Sequence, residues 1–479
     1  MSGRRVVQVA VVFLSWVASD ARGGGFEIPD HGARAVGRGG AFTAKADDLT
    51  AIALNPGGLS RVKGTRFLYS HNLIWHPTTF ERAPSSIPRS DPYAQKDAPL
   101  SPVHNGEELF PLGMMGVLSS DFGLEDWTFA IGVYGPNAVG KLDYPVDGGQ
   151  RYMLTSTDIL LMYYSAAVSY GWKDVFGVGV TLQYVHMPKT EFSLVVDATP
   201  GGAVNPYYSS ADVEATLRLK DDFAFSAVIG AWWRVIPELE LGVAGRIVPV
   251  YLDPEGDVVL RNVPGQAEFT PEQLQVNDSY AKMPLTLPMT ARLGLRYRHL
   301  DGDREVFDIE LDAVYESWSM LESYDVELSG ESNLFTATPL PDLTIAKAWR
   351  DTVSVRLGGS VEPVPDWFGI SAGAYWERGA VPKAYTHLDF LSLDRWGVGG
   401  GLRFTHWGID LSVSYLHVFQ PSVDVSEAEG KVFQQRPLSP CPGAGPCMGG
   451  NGAPANAGHF ESSYDILALS LELHFNEWF

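Results

Sequence analysis

The amino-acid sequence predicts an all-β protein, an antiparallel transmembrane β-barrel of about 14 strands with an N-terminal hatch, or plug, in its lumen. Three observations support this fold class. Apolar and polar residues alternate with period two in segment after segment from about residue 64 onward. The connections between these segments alternate between long and short. No stretch reaches the roughly 18–20 apolar residues of a membrane-spanning helix, which argues against a helical membrane protein.

The period-two alternation is clearest in residues 351–361, where valine and leucine alternate with threonine, serine and arginine. Residues 306–316 and 467–475 repeat it, with carboxylates or serines on the polar side. Successive side chains of a strand point to opposite faces, so each of these segments has one apolar and one polar face.

The connections distinguish a barrel from a soluble β-sandwich, which shows the same alternation. Strands are expected near residues 64–75, 111–119, 126–135, 158–171, 174–186, 222–234, 238–251, 284–299, 304–317, 350–362, 367–377, 391–405, 407–419 and 462–475. Long connections follow the odd-numbered strands and short turns follow the even-numbered ones. A membrane barrel sorts its connections in this way, with short turns on the periplasmic side. Closure of the barrel also pairs every backbone group inside the lipid.

Tryptophans near the predicted strand ends are consistent with a membrane boundary, where such rings prefer to lie. Any single one of them has an alternative place in a core or a turn. The set comprises Trp75, Trp127, Trp232, Trp233, Trp318, Trp367, Trp376, Trp396 and Trp407.

Composition excludes several function classes. The chain has 479 residues, and 35 Lys and Arg against 57 Asp and Glu give a net charge of −22, which argues against a nucleic-acid partner. Two cysteines exclude a disulfide-dense scaffold and a cysteine-rich zinc module. The GxSxG pattern at 369–373 lacks the strand–turn–helix context of a nucleophile elbow. We therefore expect no catalytic residues, no metal and no cofactor.

The N-terminus has the layout of a secretory signal peptide over residues 1–21. Arg4 and Arg5 precede an apolar run at 6–18, and the small residues Ser19 and Ala21 suit a cleavage site. A short buried helix or strand is the alternative. Export places the protein in an oxidising compartment, so Cys441 and Cys447 are expected to form a disulfide that closes a short surface loop.

Residues 22–62 differ from the strands that follow. They are rich in glycine, and Asp47 or Asp48 is placed to cap a short helix that Asn55 and Pro56 end. A compact segment of this size before a wide barrel is suited to plug its lumen. We therefore divide the chain into a signal peptide (1–21), a hatch (22–62) and an outer-membrane barrel (63–479).

The hatch sequence resembles the FadL/TodX family of outer-membrane transporters for hydrophobic compounds. Gly25-Phe26 matches the aromatic residue that follows a glycine at the mature N-terminus of the family, and Asn55-Pro56 matches the motif that ends its hatch. Gly57 stands where the family usually has alanine. Patches at 132–140, 287–297, 316–329 and 351–363 and the closing strand extend the resemblance over nearly the whole mature chain.

The resemblance implies a 14-stranded barrel that captures a hydrophobic ligand among its extracellular loops and passes it to a pocket near the hatch. It also implies a break in the third strand that opens the wall laterally toward the membrane. Gly135 and Pro136 end the predicted third strand, and proline cannot donate to a sheet ladder. The alternative is that these two residues only begin the loop.

Charged residues on the polar faces of the eighth and ninth predicted strands suggest an internal ion-pair ladder. With a hairpin centred on Gly302 and an odd loop of at least three residues, Arg296 pairs with Asp308 and Arg292 with Asp312. Each pair contributes only about 0.2–1 kcal/mol, so loss of Arg296 is expected to lower stability slightly. The alternative is that an arginine binds a ligand carboxylate.

The sequence leaves three candidate functions. The first is passive uptake of a hydrophobic small molecule, a long-chain fatty acid or a hydrocarbon, through the outer membrane. The second is a structural or secretion-system component that uses the barrel as an interaction platform, and the third is an outer-membrane hydrolase. The hatch and the Gly135-Pro136 break favour the first. The expected partners are the ligand and outer-membrane lipid, without nucleic acid, and the expected state is a monomer.

Overall fold

The computed structural model describes residues 31–84, 101–106, 110–136, 140–197, 212–265, 268–335, 337–434 and 454–477. The predicted signal peptide, Gly25, Phe26, Cys441 and Cys447 lie outside these residues. Within them, no helix is long and apolar enough to cross a membrane.

Fourteen antiparallel strands of the described chain pair in chain order and close into a barrel, as β14 pairs with β1. The predicted all-β barrel of about 14 antiparallel strands is confirmed. In chain order β1 to β14 are Arg66–Trp75, Phe110–Ser120, Trp127–Tyr134, Ser156–Trp172, Phe176–Asp197, Asp212–Ile236, Leu239–Val248, Thr290–Asp301, Arg304–Glu316, Thr352–Val364, Phe368–Glu377, Arg395–His406, Ile409–Phe419 and Gly458–His474.

Shorter elements accompany the barrel strands. Further strands in the long connections are Thr78–Arg82, Val103–His104, Lys141–Asp143, Val250–Leu252, Glu255–Asn262, Val276–Lys282, Leu285–Leu287, Ser323–Ser332, Thr338–Pro339, Leu343–Ala346 and Val423–Val425. The helical turns are α1 (Ala33–Val36), α2 (Ala51–Leu54) and the 3₁₀ turns Pro56–Arg61, Trp318–Met320, Lys383–Tyr385 and Phe475–Glu477.

The barrel wall has an apolar outer face and a polar inner face, as the alternation predicts. On β9 the side chains of Ile309 and Leu311 are exposed on the outside, while Asp308, Glu310 and Asp312 are buried on the inside. Closure leaves the outward side chains to the lipid and encloses the inward ones. The inner face of β9 therefore carries three neighbouring carboxyl groups into the lumen.

Prolines shorten two of the predicted strands, the seventh at its end and the eighth at its start, because they interrupt the ladder. The seventh strand stops at Val248, before Pro249, and the eighth begins at Thr290, after Pro288. Proline has no N–H to donate to a neighbouring strand. Residues 250–252 and 285–287, which lie between these prolines, pair with each other in a separate two-stranded sheet. Their leucines contribute to the apolar interior described below.

The fifth and sixth strands are longer than predicted. Residues 187–197 and 212–221, which were expected to lie in a connection, continue β5 and β6 and pair with each other. The register shifts at Met187, so a bulge separates the two parts of β5. Antiparallel neighbours can extend their ladder beyond the membrane, where no lipid limits strand length. The extension supplies one wall of the cavity described below.

Two of the nine tryptophans do not lie at the membrane boundary. Trp232 points inward and Trp318 is buried in a connection, where its Nε1 donates to Glu316 at 2.6 Å. Strand ends bring tryptophans near the boundary, but the face on which each residue falls decides between lipid and interior. Trp233, the neighbour of Trp232, has the outward face and is exposed.

The predicted pairing of the charge ladder is wrong by two residues. The turn between β8 and β9 holds only Gly302 and Asp303, because Asp301 pairs with Arg304. A register shift between His299 and Leu300 then moves every later pair. Arg296 consequently lies opposite Glu310, Arg298 opposite Asp308, Gly294 opposite Asp312 and Arg292 opposite Val314. Such a bulge adds one residue to one strand, which the hydrophobic pattern did not show.

Candidate functional site

Residues 31–62, here called the N-terminal segment, pack against inward-facing side chains of the barrel and are almost entirely buried. Two short helical turns, α1 and α2, are followed by the 3₁₀ turn that begins at Pro56. The N-cap of α2 is Thr50, which makes no side-chain capping bond, so the expected cap by Asp47 or Asp48 is wrong; the Asp48 side chain instead accepts from the Thr50 backbone N–H at 2.9 Å. Helix α2 ends before Asn55, as expected.

The backbone of the N-terminal segment binds the carboxyl groups of β9. The N–H groups of Phe42 and Thr43 donate to Asp312 at 3.0 and 2.9 Å, and that of Ala44 donates to Glu310 at 2.6 Å. Buried carboxylates need such donors, because removal from water is otherwise costly. These bonds fix the middle of the segment to one side of the barrel wall.

Cationic side chains of the N-terminal segment bind the same wall. Arg38 donates from both terminal nitrogens to Asp308, at 3.1 and 2.7 Å, and one of them also reaches Glu310 at 3.2 Å. Arg61 lies 3.1 Å from Glu240 on β7. Two-pronged arginine–carboxylate contacts are among the stronger polar interactions in proteins. The cations also offset the repulsion among neighbouring carboxylates inside the lumen.

Asn55 and Pro56, which the sequence singles out, lie against β6. The Asn55 amide donates to the Thr43 carbonyl at 2.7 Å and to the Ala231 carbonyl at 3.1 Å. At Gly230 a β-carbon would lie 2.1 Å from the Asn55 side-chain oxygen, so only glycine permits this approach. Asn55 therefore ties the N-terminal segment both to itself and to the wall.

A cavity lies between the N-terminal segment and the long connections, where two hydrophobic clusters meet. Leu161, Met187 and Leu287 belong to the cluster that includes the N-terminal segment, whereas Phe192 and Tyr324 belong to the cluster of the long connections. All five line the cavity, and the open space between the lining residues, with the solvent at its mouth included, is about 880 Å³.

The lining of the cavity is almost wholly apolar. Its polar side chains are Thr190, Thr286 and Tyr324, and among the described residues the buried hydroxyl of Thr190 has no hydrogen-bond partner. Ligand sites of soluble and membrane proteins have this mixture of apolar walls and few polar groups. The cavity can therefore bind an apolar molecule.

The third strand is interrupted beside this cavity. β3 ends at Tyr134, which pairs with Tyr163 of β4, and among the described residues, which leave out 137–139, the next pair with β4 is Lys141 with Asp158. Gly135 and Pro136 line the cavity at the start of this interruption. On the other side β3 pairs with β2 only as far as Met115, so Phe110–Met114 have no partner in β3 among the described residues. The wall ladder is thus incomplete where the cavity adjoins it.

A family profile described as outer membrane protein transport protein (OMPP1/FadL/TodX) matches residues 14–439. The chain belongs to this family. The resemblance drawn from the hatch sequence is confirmed, and membership places the protein in the outer membrane of a Gram-negative-type cell. A comparison with curated proteins found no match.

Solved structures of FadL/TodX-family proteins share the fold at low sequence identity. A FadL homologue of Pseudomonas aeruginosa is 17% identical over 94% of this chain and 100% of its own, with a TM-score of 0.71. The Pseudomonas putida toluene transporter TodX is 11% identical over 95% and 99%, with a TM-score of 0.65. The Ralstonia pickettii toluene transporter TbuX is 12% identical over 94% and 100%, with a TM-score of 0.61. These relatives are transport proteins rather than enzymes.

The ladder residues take different places in this FadL/TodX-family barrel. Arg296 and Asp308 still meet, because Nε of Arg296 reaches Oδ2 of Asp308 at 3.0 Å along the diagonal. Asp312 instead accepts from the N-terminal segment. Arg292 lies opposite Val314, two residues beyond Asp312, its expected partner. Arg296 also contacts Glu240 at 2.8 Å. The charges thus form a buried network with the N-terminal segment rather than a simple two-strand ladder.

Replacing Arg296 with alanine is expected to lower the free energy of unfolding by roughly 3–5 kcal/mol, more than the slight loss expected from the sequence. Arg296 is buried among Asp308, Glu240 and Glu305, and its loss removes a cation from all three. Denaturant unfolding in detergent measures the change. Arg304→Ala, at an exposed position of the same hairpin, is the control and should change it by less than about 0.5 kcal/mol. Equal effects of the two variants would contradict this prediction.

Several residues of the site were not found from the sequence. No pattern in the sequence links Arg38, Lys45 or Arg61 to β7 or β9, although Nζ of Lys45 lies 3.4 Å from Glu305 of β9. Glu310 carried a usable signal, because it stands between Asp308 and Asp312 with period two on a polar face. No sequence pattern pointed to the cavity residues in the long connections, since loop packing depends on contacts that are distant in sequence.

Proposed function

We propose that this protein is an outer-membrane channel for passive uptake of hydrophobic small molecules, long-chain fatty acids or aromatic and aliphatic hydrocarbons. The observation that carries the proposal is the apolar cavity beside the interrupted third strand. Transporters of toluene share the fold, which adds support. Burying about 200 Å² of apolar ligand surface in such a cavity contributes roughly 5 kcal/mol.

The ligand enters from the extracellular connections and binds in the cavity. Phe192 on the extension of β5, and Leu321 and Phe390 in two other connections, reach the lining from different parts of the chain. A cavity assembled from several connections can open when they separate, and a ligand that binds only the assembled form shifts the population toward it.

The ligand leaves laterally, between β2 and β4, where β3 is interrupted. Gly135 contributes no side chain and Pro136 no N–H, so neither residue favours repair of the ladder across the gap. An apolar ligand gains nothing by entering the periplasm, whereas the hydrocarbon layer is as apolar as the cavity. Exit toward the membrane is therefore the direction of lower free energy.

The N-terminal segment acts as the hatch that keeps water and ions from crossing the lumen. Its contacts with Glu310, Asp312 and Glu240 support this role, because they hold it across the barrel interior. The hatch comprises residues 22–62 in this proposal, with Gly25 and Phe26 at its start. Asn55 and Pro56 are the positioning residues at its end.

Ligand binding by the purified protein and growth of a deletion strain test the proposal together. Toluene and a long-chain fatty acid are titrated into the full-length protein in detergent, and the deletion strain is grown on hydrophobic carbon sources. Binding of at least one ligand and slower growth on the same compound are expected. Absence of binding together with normal growth would favour the alternative, a barrel that serves as an interaction platform.

A further inference from the structure

A buried ion pair lies directly behind the cavity lining. Nζ of Lys347 is 2.5 Å from Oδ2 of Asp389, and both side chains are about 1% exposed. Nδ1 of His387 lies 2.8 Å from the other oxygen of the same carboxylate. Lys347 belongs to the connection between β9 and β10 and Asp389 to that between β11 and β12, outside the membrane-spanning strands.

Aromatic rings join this ion pair to the cavity. Nζ of Lys347 lies 4.4 Å from the ring centre of Tyr324, and the ring of His387 stacks on that of Phe192 with centres 6.4 Å apart. Tyr324, Phe192 and Phe390, the neighbour of Asp389, all line the cavity. A ligand in the cavity would therefore be separated from Lys347 by a single ring.

The charge of Lys347 is already matched. Burial lowers the pKa of Lys347 and that of His387, which disfavours additional positive charge there. Burial alone would raise the pKa of Asp389, but His387 and Lys347 hold it well below its usual range. Within the described part of the chain, no residue that lines the cavity carries a charge. A ligand carboxylate would thus meet apolar walls. The nearest cation, Lys347, lies behind the ring of Tyr324 and is already paired with Asp389.

We propose that the cavity selects uncharged hydrophobic molecules and rejects the matching carboxylates, because Asp389 neutralises the cation that would otherwise bind a carboxylate. This inference rests on the proposed function and names the substrate class within it. A buried carboxylate without a donor is strongly disfavoured, and a second carboxylate beside Asp389 would add repulsion. Hydrocarbons and neutral alcohols carry no charge, so neither the lack of a donor nor repulsion from Asp389 opposes their binding.

Matched ligand pairs test the inference on the wild-type protein. Toluene and benzoate have nearly the same shape, as do 1-dodecanol and dodecanoate, and the acids are ionised at pH 7.5. Calorimetric titration of the full-length protein in neutral detergent is expected to give at least about tenfold weaker binding for each carboxylate than for its uncharged partner. Carboxylates that bind as tightly as their partners would overturn the inference and leave the proposed function standing. If no ligand of either kind binds, the proposed function itself fails.

Asp389→Asn supplies the gain-of-function test. The variant removes the negative charge that pairs with Lys347 and keeps the shape of the side chain at position 389. Affinity for benzoate or dodecanoate should therefore rise by about tenfold or more, and affinity for toluene should change little. The double variant Lys347→Met/Asp389→Asn should lose that gain. Asp394→Asn, at an exposed position of the same connection, is the matched control. An unchanged carboxylate affinity in folded Asp389→Asn would overturn the inference.

Arg246 provides a further check. Its guanidinium lies 5.7 Å from the ring centre of Tyr163, near the cavity but outside its lining. The inference expects that Arg246→Gln leaves the discrimination between toluene and benzoate unchanged. Tight benzoate binding by the wild type that disappears in this variant would place an anion site at Arg246 and overturn the inference.

Discussion

Deleting residues 26–55 is expected to raise the single-channel conductance of the barrel severalfold, because the described part of this stretch is buried against inward-facing side chains of the barrel. The carboxyl groups of Glu310 and Asp312 would then face water instead of the backbone of residues 42–44. Conductance in planar bilayers measures the effect. An intact barrel with unchanged conductance would contradict the role of hatch.

A finer variant separates loss of the hatch from loss of its attachment. Glu310→Ala/Asp312→Ala removes the acceptors for four backbone N–H groups, those of residues 42–45, and hydrogen bonds to charged groups contribute about 1.5–3 kcal/mol each. The double variant is expected to give frequent transient openings rather than a permanently open channel.

Glu316→Ala is the control, because Glu316 lies on the same inner face of β9 but bonds Trp318 instead of the N-terminal segment. A similar opening frequency in the control would argue against attachment through β9.

Replacing Gly135 and Pro136 with valine and threonine is expected to abolish most ligand uptake without preventing assembly. Both new residues favour strands, and threonine restores the N–H that proline lacks, so the ladder can continue toward Lys141. Uptake of radiolabelled ligand by whole cells, normalised to folded protein in the outer membrane, measures the effect. Binding to purified protein should persist, because most of the cavity lining is unchanged.

Pro339→Val is the matched control for this variant. Pro339 also lies at a short strand in a long connection, but it does not line the cavity. Uptake should remain near the wild-type rate in the control. If the Gly135-Pro136 variant assembles and transports at the wild-type rate, lateral exit at the interruption of β3 is wrong.

The number and order of the barrel strands could be predicted from sequence, because alternation within a strand is a local property. Residues 351–361 show this well: Val355 and Leu357 are exposed on the outside, while Ser354 and Arg356 are buried inside. Strand ends were less predictable. Pro249 and Pro288 mark them in the sequence, but only the structure shows that residues 250–252 and 285–287 pair with each other.

The pairing of charges could not be predicted, since it depends on one irregular residue. The turn holds two residues rather than three, and the register shift between His299 and Leu300 adds one more residue, so Glu310 rather than Asp308 lies directly opposite Arg296. The expected centre at Gly302 was close, yet an error of two residues changes every partner along a strand. The inward face of the charges was nevertheless correct, because a shift by an even number conserves the face.

The fold class, the inward and outward faces of the strands, and the non-strand character of the segment that ends at Asn55 and Pro56 all follow from local patterns in the sequence. The tertiary structure alone decided which groups meet in the interior. Arg38 binds Asp308 across 270 residues of chain, and Lys347 binds Asp389 from a different connection. Side-chain periodicity is set by the local backbone, whereas these contacts depend on barrel closure and loop packing, which no local pattern encodes.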